Sequence, residues 1–212
     1  DASSSEFDPD TAHPVIAMIT EWQDAARGAQ QRSEGSELGG TMRLGAQEVE
    51  LGEGTIAAIL HMEGAGASDD GLDALHLFHA MGLRSLGPVW SRPTIFGHGV
   101  PFAFPSGPDT GPGLTDAGKR LVRECNALRI LLDLSHMNEA GFNDVARLSD
   151  APLVATHSNA HAICPSSRNL TDRQLTMIRE SGGMVGLHFS VSFLRTDGKR
   201  DPAMGWEPIL RQ

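Results

Sequence analysis

Three side chains in this sequence have the chemistry of metal ligands and follow short apolar runs. Glu63, His136 and His157 each lie at or just after the end of such a run. Imidazole nitrogen and carboxylate oxygen bind zinc well, and a carboxylate can bridge two metal ions that lie close together. The pattern therefore predicts a metal site made by Glu63, His136 and His157.

Each of these residues could instead have a purely structural role. Glu63 could be an ordinary loop acid, and His136 or His157 could be a buried histidine satisfied by hydrogen bonds. The occurrence of all three at the ends of neighbouring runs favours ligands. His188 lies inside the last apolar run and is predicted to be a wall residue, and His61 is predicted to pack rather than to support the site.

Arg168 stands in the loop after the fourth apolar run and is the candidate for substrate binding. A guanidinium group beside a metal site can hold a substrate carboxylate through two parallel hydrogen bonds. The alternative is a surface arginine that ties down its loop.

The apolar runs alternate with helical patterns, which is typical of an α/β fold with a parallel sheet. In such folds the carboxyl ends of the strands converge, so reactive groups gather there. Five strands are too few to decide between an open doubly wound sheet and a barrel. The predicted strands are Thr55–Met62, Leu83–Trp90, Arg129–Leu134, Pro152–Thr156 and Met184–Phe189.

The helical patterns are bounded by recognisable start signals. Thr171 with Gln174 three positions later has the capping-box pattern. The long Pro/Gly-rich segment from Ser91 to Gly113 is predicted to be a lid or a specificity wall beside the site. The predicted helices are Pro14–Gln31, Asp70–Met81, Asn138–Leu148 and those that start at Thr115 and at Thr171.

Composition excludes several classes of function. The formal charge of −10 argues against a nucleic-acid partner, and no apolar stretch approaches the ~18 residues of a membrane span. Cys125 and Cys164 are far apart, so neither a disulfide framework nor a thiolate metal site is expected. The first ten residues lack a basic segment, so no signal peptide is predicted in them. A cytoplasmic location is expected, and a secreted or periplasmic location stays open.

Several short segments together resemble the membrane dipeptidase (renal dipeptidase) family, which are zinc metallopeptidases of the amidohydrolase superfamily. The similarity runs from about Thr55 to Phe189. The segments Trp90–Pro93 and Phe96–Phe102 resemble a bacterial branch of that family. The segments that carry the family resemblance are Glu63-Gly64, Asp133–His136, Thr156–Ala160, Ser167–Asp172 and Gly182-Gly183.

The resemblance implies a (β/α)8 barrel of the metal-dependent hydrolase type with two zinc ions at its mouth. Glu63 would bridge both ions, His136 and His157 would hold the second ion, and Arg168 would bind the C-terminal carboxylate of the substrate. The implied reaction is hydrolysis of dipeptides, including those with a C-terminal D-residue, by attack of metal-bound hydroxide. A homodimer is a further expectation.

This sequence also departs from the family pattern. The family's His-x-Asp pair on the first strand and its late aspartate segment do not occur in residues 1–212. We therefore expect one catalytic barrel domain over residues 1–212 that lacks the first-strand segment and the last strands. Trp90 stands where eukaryotic members have a histidine that polarises the substrate carbonyl, and His98 is the candidate that replaces it as a catalytic residue.

Two other functions stay open at this stage. The protein could be another amidohydrolase that acts on N-acyl amino acids, because those substrates also carry a carboxylate. It could instead be a catalytically silent barrel fragment that serves as a scaffold.

Overall fold

The structure is a computed structural model that describes residues 42–44, 56–201, 203 and 205–212. The predicted helix Pro14–Gln31 lies outside the described residues. The strands are β1 (Met42–Leu44), β2 (Ile56–Ala58), β3 (Leu60–Glu63), β4 (Leu83–Gly87), β5 (Leu131–Leu132), β6 (Val154–Ala155) and β7 (Met184–Val185). The helices are α1 (Asp73–Ala80), α2 (Asp116–Leu128), α3 (Glu139–Leu148), α4 (Asp172–Glu180) and α5 (Glu207–Leu210), with a 3₁₀ helix at Val191–Phe193.

The described strands pair in parallel, and neighbours follow the order of the chain. β1 pairs with β2, β3 with β4, β4 with β5, and β6 with β7. Leu134 N donates to Val154 O at 2.8 Å, which joins β5 to β6. Among the described strands there is no reversal of order of the kind that a doubly wound sheet has at its switch point. This topology is that of a segment of a barrel.

An apolar layer lies between the strands and the helices, and we call it the sheet–helix layer. Its side chains are almost fully buried, among them Leu86 of β4, Leu121 of α2 and Phe142 of α3. Apolar burial of this kind is the main source of folding free energy. None of the helices in the described part of the chain is long and apolar enough to cross a membrane.

The helix starts agree with the sequence. Thr115, Asn138 and Thr171 each cap a helix by accepting a backbone N–H from the residue three positions later. Such a cap satisfies one of the backbone donors that the first turn of a helix leaves free. The capping box of Thr171 and Gln174 is confirmed.

The strands are shorter than predicted, and this changes the place of His188. β7 ends at Val185, so His188 follows the strand rather than lying inside it. At His188 a side chain takes the place of a neighbouring strand as hydrogen-bond partner. The Asn159 side chain accepts from His188 N at 3.0 Å and donates to His188 O at 2.9 Å. The side-chain amide therefore terminates the strand pairing beside the site.

Backbone hydrogen bonds attach the segment 91–113 to the rest of the fold. Val100 N donates to His136 O at 2.8 Å, and Asn138 N donates to His98 O at 3.1 Å. Of the two predicted roles for this segment, the backbone bonds favour a wall over a lid. The wall runs directly past His136.

Candidate metal site

The side chains of Glu63, His136 and His157 converge at the carboxyl ends of β3, β5 and β6. Glu63 Oε1 lies 3.0 Å from Nε2 of each histidine, and the two Nε2 atoms are 3.0 Å apart. The three candidate ligands therefore face one point. We call these three residues, together with Asp133 and Arg168, the carboxyl-end cluster.

These three donor atoms fit one metal ion. The three atoms form a triangle with 3.0 Å sides, whose corners lie about 1.7 Å from its centre. A metal ion slightly above the plane of the triangle would therefore lie about 2.1 Å from all three atoms, which is the usual zinc–ligand distance. The donor set of two imidazole nitrogens and one carboxylate oxygen is also one that zinc accepts. Oε2 of Glu63 is not part of this triangle.

The backbone around the site adopts conformations that few residues accept. Gly64 directly follows Glu63 with φ 85°, and a side chain there would lie 3.4 Å from the backbone nitrogen of Trp90. His136 has φ 67°, a left-handed conformation that is strained for a residue with a side chain. Strained residues of this kind concentrate at functional sites.

The protonation states at the site suit metal binding. Hydrogen bonds from His136 and His157 hold the pKa of Glu63 well below its usual range, against the opposing effect of burial. Burial lowers the pKa of His136 to about 4, although Glu63 opposes the shift. At neutral pH Glu63 is therefore ionised and His136 is neutral, which is what a metal ion requires of them.

A hydroxyl group holds each ligand histidine from the side away from the metal point. Ser91 Oγ lies 2.7 Å from His136 Nδ1, and Thr156 Oγ1 lies 2.7 Å from His157 Nδ1. Sequence reasoning missed both hydroxyls. Ser91 is 45 positions from its partner, and no local spacing identifies such a pair.

Asp133 is a buried carboxylate behind the ligands, with 1% of its surface exposed. Its Oδ1 accepts from the backbone N–H groups of Ser135 at 3.0 Å and Thr156 at 2.9 Å, and its Oδ2 accepts from the Thr156 hydroxyl at 2.5 Å. Burial raises the pKa of Asp133, but these hydrogen bonds outweigh that effect and hold it below its usual range. The sequence signal that could have identified Asp133 is its position inside an apolar run, because an acid there is costly to bury without hydrogen-bond partners.

Arg168 is buried, with 3% of its surface exposed, so it is not the surface arginine of the alternative interpretation. Its Nη2 donates to His157 O at 3.2 Å, and its Nε is buried without a hydrogen-bond partner among the described residues. Burial lowers the pKa of Arg168 to about 10, and the charges of Glu63 and Asp133 oppose this shift. The guanidinium group thus remains charged at neutral pH and has spare donor capacity beside the candidate ligands.

Aromatic rings line one side of the site. The ring of Trp90 lies 5.3 Å from that of Phe102, and the ring of Phe102 lies 6.1 Å from that of Phe193. His188 packs edge-on against Phe193 with ring centroids 5.0 Å apart, as expected for a wall residue. Arg168 stands over the ring of Phe193 at 5.7 Å.

Two further histidines, His98 and His61, do not belong to the group of three candidate ligands. His98 is half-buried in the segment 91–113, where its carbonyl accepts from Asn138 N. Within the described part of the chain, its ring belongs to no candidate metal group. His61 bonds to Ser85 Oγ through Nδ1 at 2.8 Å and so packs beneath the site.

The chain matches a protein-family model over residues 26–204, and that model is described as membrane dipeptidase (peptidase family M19). Among curated proteins it is 55% identical over 156 residues to an uncharacterized protein in the pqqA 5′ region of Klebsiella pneumoniae. It is 51% identical over 158 residues to an uncharacterized protein in the PQQ-III 3′ region of Acinetobacter calcoaceticus. Each match covers 74% of this chain.

Two solved structures overlap almost the whole chain. One is a metallo peptidase from Rhodobacter sphaeroides liganded with a phosphinate mimic of the dipeptide L-Ala-D-Ala, 62% identical, with a TM-score of 0.86 over 97% of this chain. The other is the dipeptidase AC, a metallo peptidase 63% identical, with a TM-score of 0.85 over 95% of this chain. This likeness confirms the predicted α/β barrel class.

The chain is shorter than the proteins it matches. It spans 50% and 58% of the two curated relatives and 57% of each of the two solved chains. The chain thus spans about half the length of these relatives.

Proposed function

This chain belongs to the membrane dipeptidase family, and we propose that the protein is a zinc-dependent dipeptidase. Its substrates are dipeptides, including those with a D-residue at the C-terminal side. The observation that carries the proposal is the convergence of Glu63, His136 and His157 at 3.0 Å spacing on one point. The Rhodobacter sphaeroides relative, which was solved with a mimic of L-Ala-D-Ala, supports the substrate class.

We assign the metal as zinc and the number of ions as two. His136 and His157 would hold one ion, and Glu63 would be shared between that ion and the other. The donor set of imidazole and carboxylate supports zinc, and the exposure of the Glu63 side chain supports a bridging role. Zinc supplies a Lewis acid that makes water nucleophilic near neutral pH and polarises a carbonyl group.

Arg168 recognises the free carboxylate that every dipeptide carries. Its charged group is buried next to the ligands, and no described carboxylate forms an ion pair with it. A planar guanidinium group can donate to both carboxylate oxygens at once, which positions the scissile bond at a set distance from the metal ligands. The rings of Trp90 and Phe102, which are both partly exposed, would give the substrate an apolar surface to pack against.

His98 is the proposed group that faces the substrate carbonyl. Its segment is fixed beside His136 by the bond from Asn138 N to the His98 carbonyl. Replacing His98 by Ala is expected to lower kcat while the metal content stays constant, since the side chain contacts no proposed ligand. Unchanged kcat in steady-state assays would remove His98 from the reaction.

The experiment that tests the proposal measures metal content and hydrolysis of L-Ala-D-Ala in the complete protein. Two zinc ions per chain with turnover of the dipeptide support it. Turnover of N-acetyl amino acids without turnover of dipeptides would favour the other amidohydrolase. Absence of both bound metal and turnover would favour the scaffold.

Two further properties are part of the proposal. We propose a cytoplasmic location, which fractionation of the source cells would test. We also propose a homodimer, which sedimentation of the purified protein would distinguish from a monomer.

A further inference from the structure

We infer that Asp133 and Thr156 act together to hold His157 in one tautomer, with the proton on Nδ1 and the lone pair of Nε2 aimed at the metal. This positioning role rests on the proposed metal site. Neither residue touches the metal point, and both act through His157.

The first step of the argument is the number of donors around Asp133. Two backbone N–H groups and one hydroxyl bond to its carboxylate at 3.0, 2.9 and 2.5 Å. A carboxylate surrounded by donors acts only as an acceptor. The hydroxyl proton of Thr156 is therefore committed to Asp133.

The second step follows from the single proton of a hydroxyl group. Once Thr156 donates that proton to Asp133, its oxygen can only accept from His157 Nδ1, which lies 2.7 Å away. Nδ1 must then carry the imidazole proton. A neutral imidazole has one such proton, so Nε2 is left with a lone pair.

The third step is the direction in which that lone pair points. His157 Nε2 lies 3.0 Å from Glu63 Oε1 and 3.0 Å from His136 Nε2, at the candidate metal point. The backbone of His157 is also held, because its N–H donates to Ser135 Oγ at 3.1 Å. The residues behind His157 thus set both its ring orientation and its tautomer once a metal ion occupies that point, whereas in the metal-free chain Nε2 can also donate to Glu63.

His136 provides an internal contrast. Its Nδ1 contacts Ser91 Oγ at 2.7 Å, but Ser91 has no carboxylate partner in the described part of the chain. The Ser91 hydroxyl can therefore either donate or accept. Only the tautomer of His157 is dictated by a carboxylate.

The test compares Thr156→Val, which removes the hydroxyl at constant size, with Thr156→Ser, which keeps it. Metal affinity of the complete protein is measured by competition with a chelator. Removing such an outer partner typically weakens metal binding about 10–100-fold, so we expect this loss for Thr156→Val and near-normal affinity for Thr156→Ser.

Asp133→Asn gives the sharper test, because it reverses the direction of the hydrogen bonds. The new amide NH₂ donates to Thr156 Oγ1, the Thr156 hydroxyl then donates to His157 Nδ1, and the imidazole proton moves to Nε2. We expect a loss of affinity at least as large as that of Thr156→Val. In the zinc-loaded protein labelled with ¹⁵N-histidine, NMR should show a His157 Nδ1 proton that is protected from exchange in the wild type and exchanges faster in Asp133→Asn.

A merely structural role would lower the unfolding temperature of Asp133→Asn and Thr156→Val while leaving the protection of the His157 Nδ1 proton and the metal affinity as in the wild type, and that result would overturn the inference. The outcome is separable from the proposed function. A protein that shows the expected Nδ1 protection and metal affinities yet hydrolyses no dipeptide keeps the positioning role and loses the dipeptidase assignment.

Discussion

The carboxyl-end cluster and the sheet–helix layer bury opposite kinds of side chain. The cluster buries Asp133, His136 and Arg168, whereas the layer buries Leu86, Phe142 and similar apolar groups. Burying a charge or an imidazole costs free energy unless partners compensate, while apolar burial stabilises the fold. We therefore assign binding and chemistry to the carboxyl-end cluster, and the stability of the fold to the sheet–helix layer. Substitutions in the two regions should change different measured quantities.

The largest effect is expected for Glu63→Gln in the cluster. The substitution keeps the size of the side chain but removes the negative charge that lies 3.0 Å from both histidine Nε2 atoms. Metal content should fall, and kcat/KM for a dipeptide should drop roughly a thousandfold or more, about 4 kcal/mol in the barrier. The thermal unfolding midpoint of the metal-free protein should fall modestly, because the hydrogen bonds that lower the Glu63 pKa also stabilise the folded chain. Full metal content and activity would contradict the assignment of Glu63 as a ligand.

The matching substitution in the sheet–helix layer is Phe142→Ala. Phe142 is fully buried, so its loss leaves a cavity and should lower the free energy of unfolding by about 3–5 kcal/mol. Denaturant titration of the protein measures this. Leu77→Ala on α1 is the control, because Leu77 is half-exposed and should change stability by only about 0.5 kcal/mol. Metal bound per folded chain should stay constant in both variants, and a change would break the separation of the two regions.

A smaller effect is expected for Arg168→Ala, measured with free and amidated dipeptides. Charge-assisted hydrogen bonds to a carboxylate are worth about 1.5–3 kcal/mol, so kcat/KM for the free acid should fall about ten- to a few-hundredfold. Amidation of the substrate should cost the wild type a similar factor and the variant little. Metal content should be unchanged, since arginine is not a ligand. An equal loss with both substrates would mean that Arg168 only holds its loop together.

The smallest effect concerns acid stability of the metal-free protein. Burial lowers the pKa of His136 to about 4, and burial together with Arg168 lowers the pKa of His188 to about 4. Both histidines stay neutral in the folded chain while the unfolded chain takes up protons below about pH 6.5, so stability should decrease as pH falls from 6.5 toward 4. Denaturation midpoints across this range measure the slope. His188→Asn should flatten it, and an unchanged slope would remove His188 as a contributor.

The helix starts and the three candidate ligands could be predicted because their signals are local. A cap at Thr115, Asn138 or Thr171 depends on residues only three positions apart. Glu63 and His157 could be placed at one edge because the carboxyl ends of parallel strands meet there whatever the register. The chemistry of the residue types then completed the prediction of the metal site.

Other features are decided only by the tertiary structure. The pairing of Asp133 with Thr156 depends on how β5 lies against β6, and these residues are 23 positions apart. The burial of Arg168 and the wall made by the segment 91–113 likewise arise from contacts between distant loops. By itself the sequence determined which side chains could bind a metal and which strand ends carry them. The structure decided which hydroxyl and which carboxylate stand behind each ligand, because hydrogen-bond partners are selected by distances of a few ångströms that chain spacing does not encode.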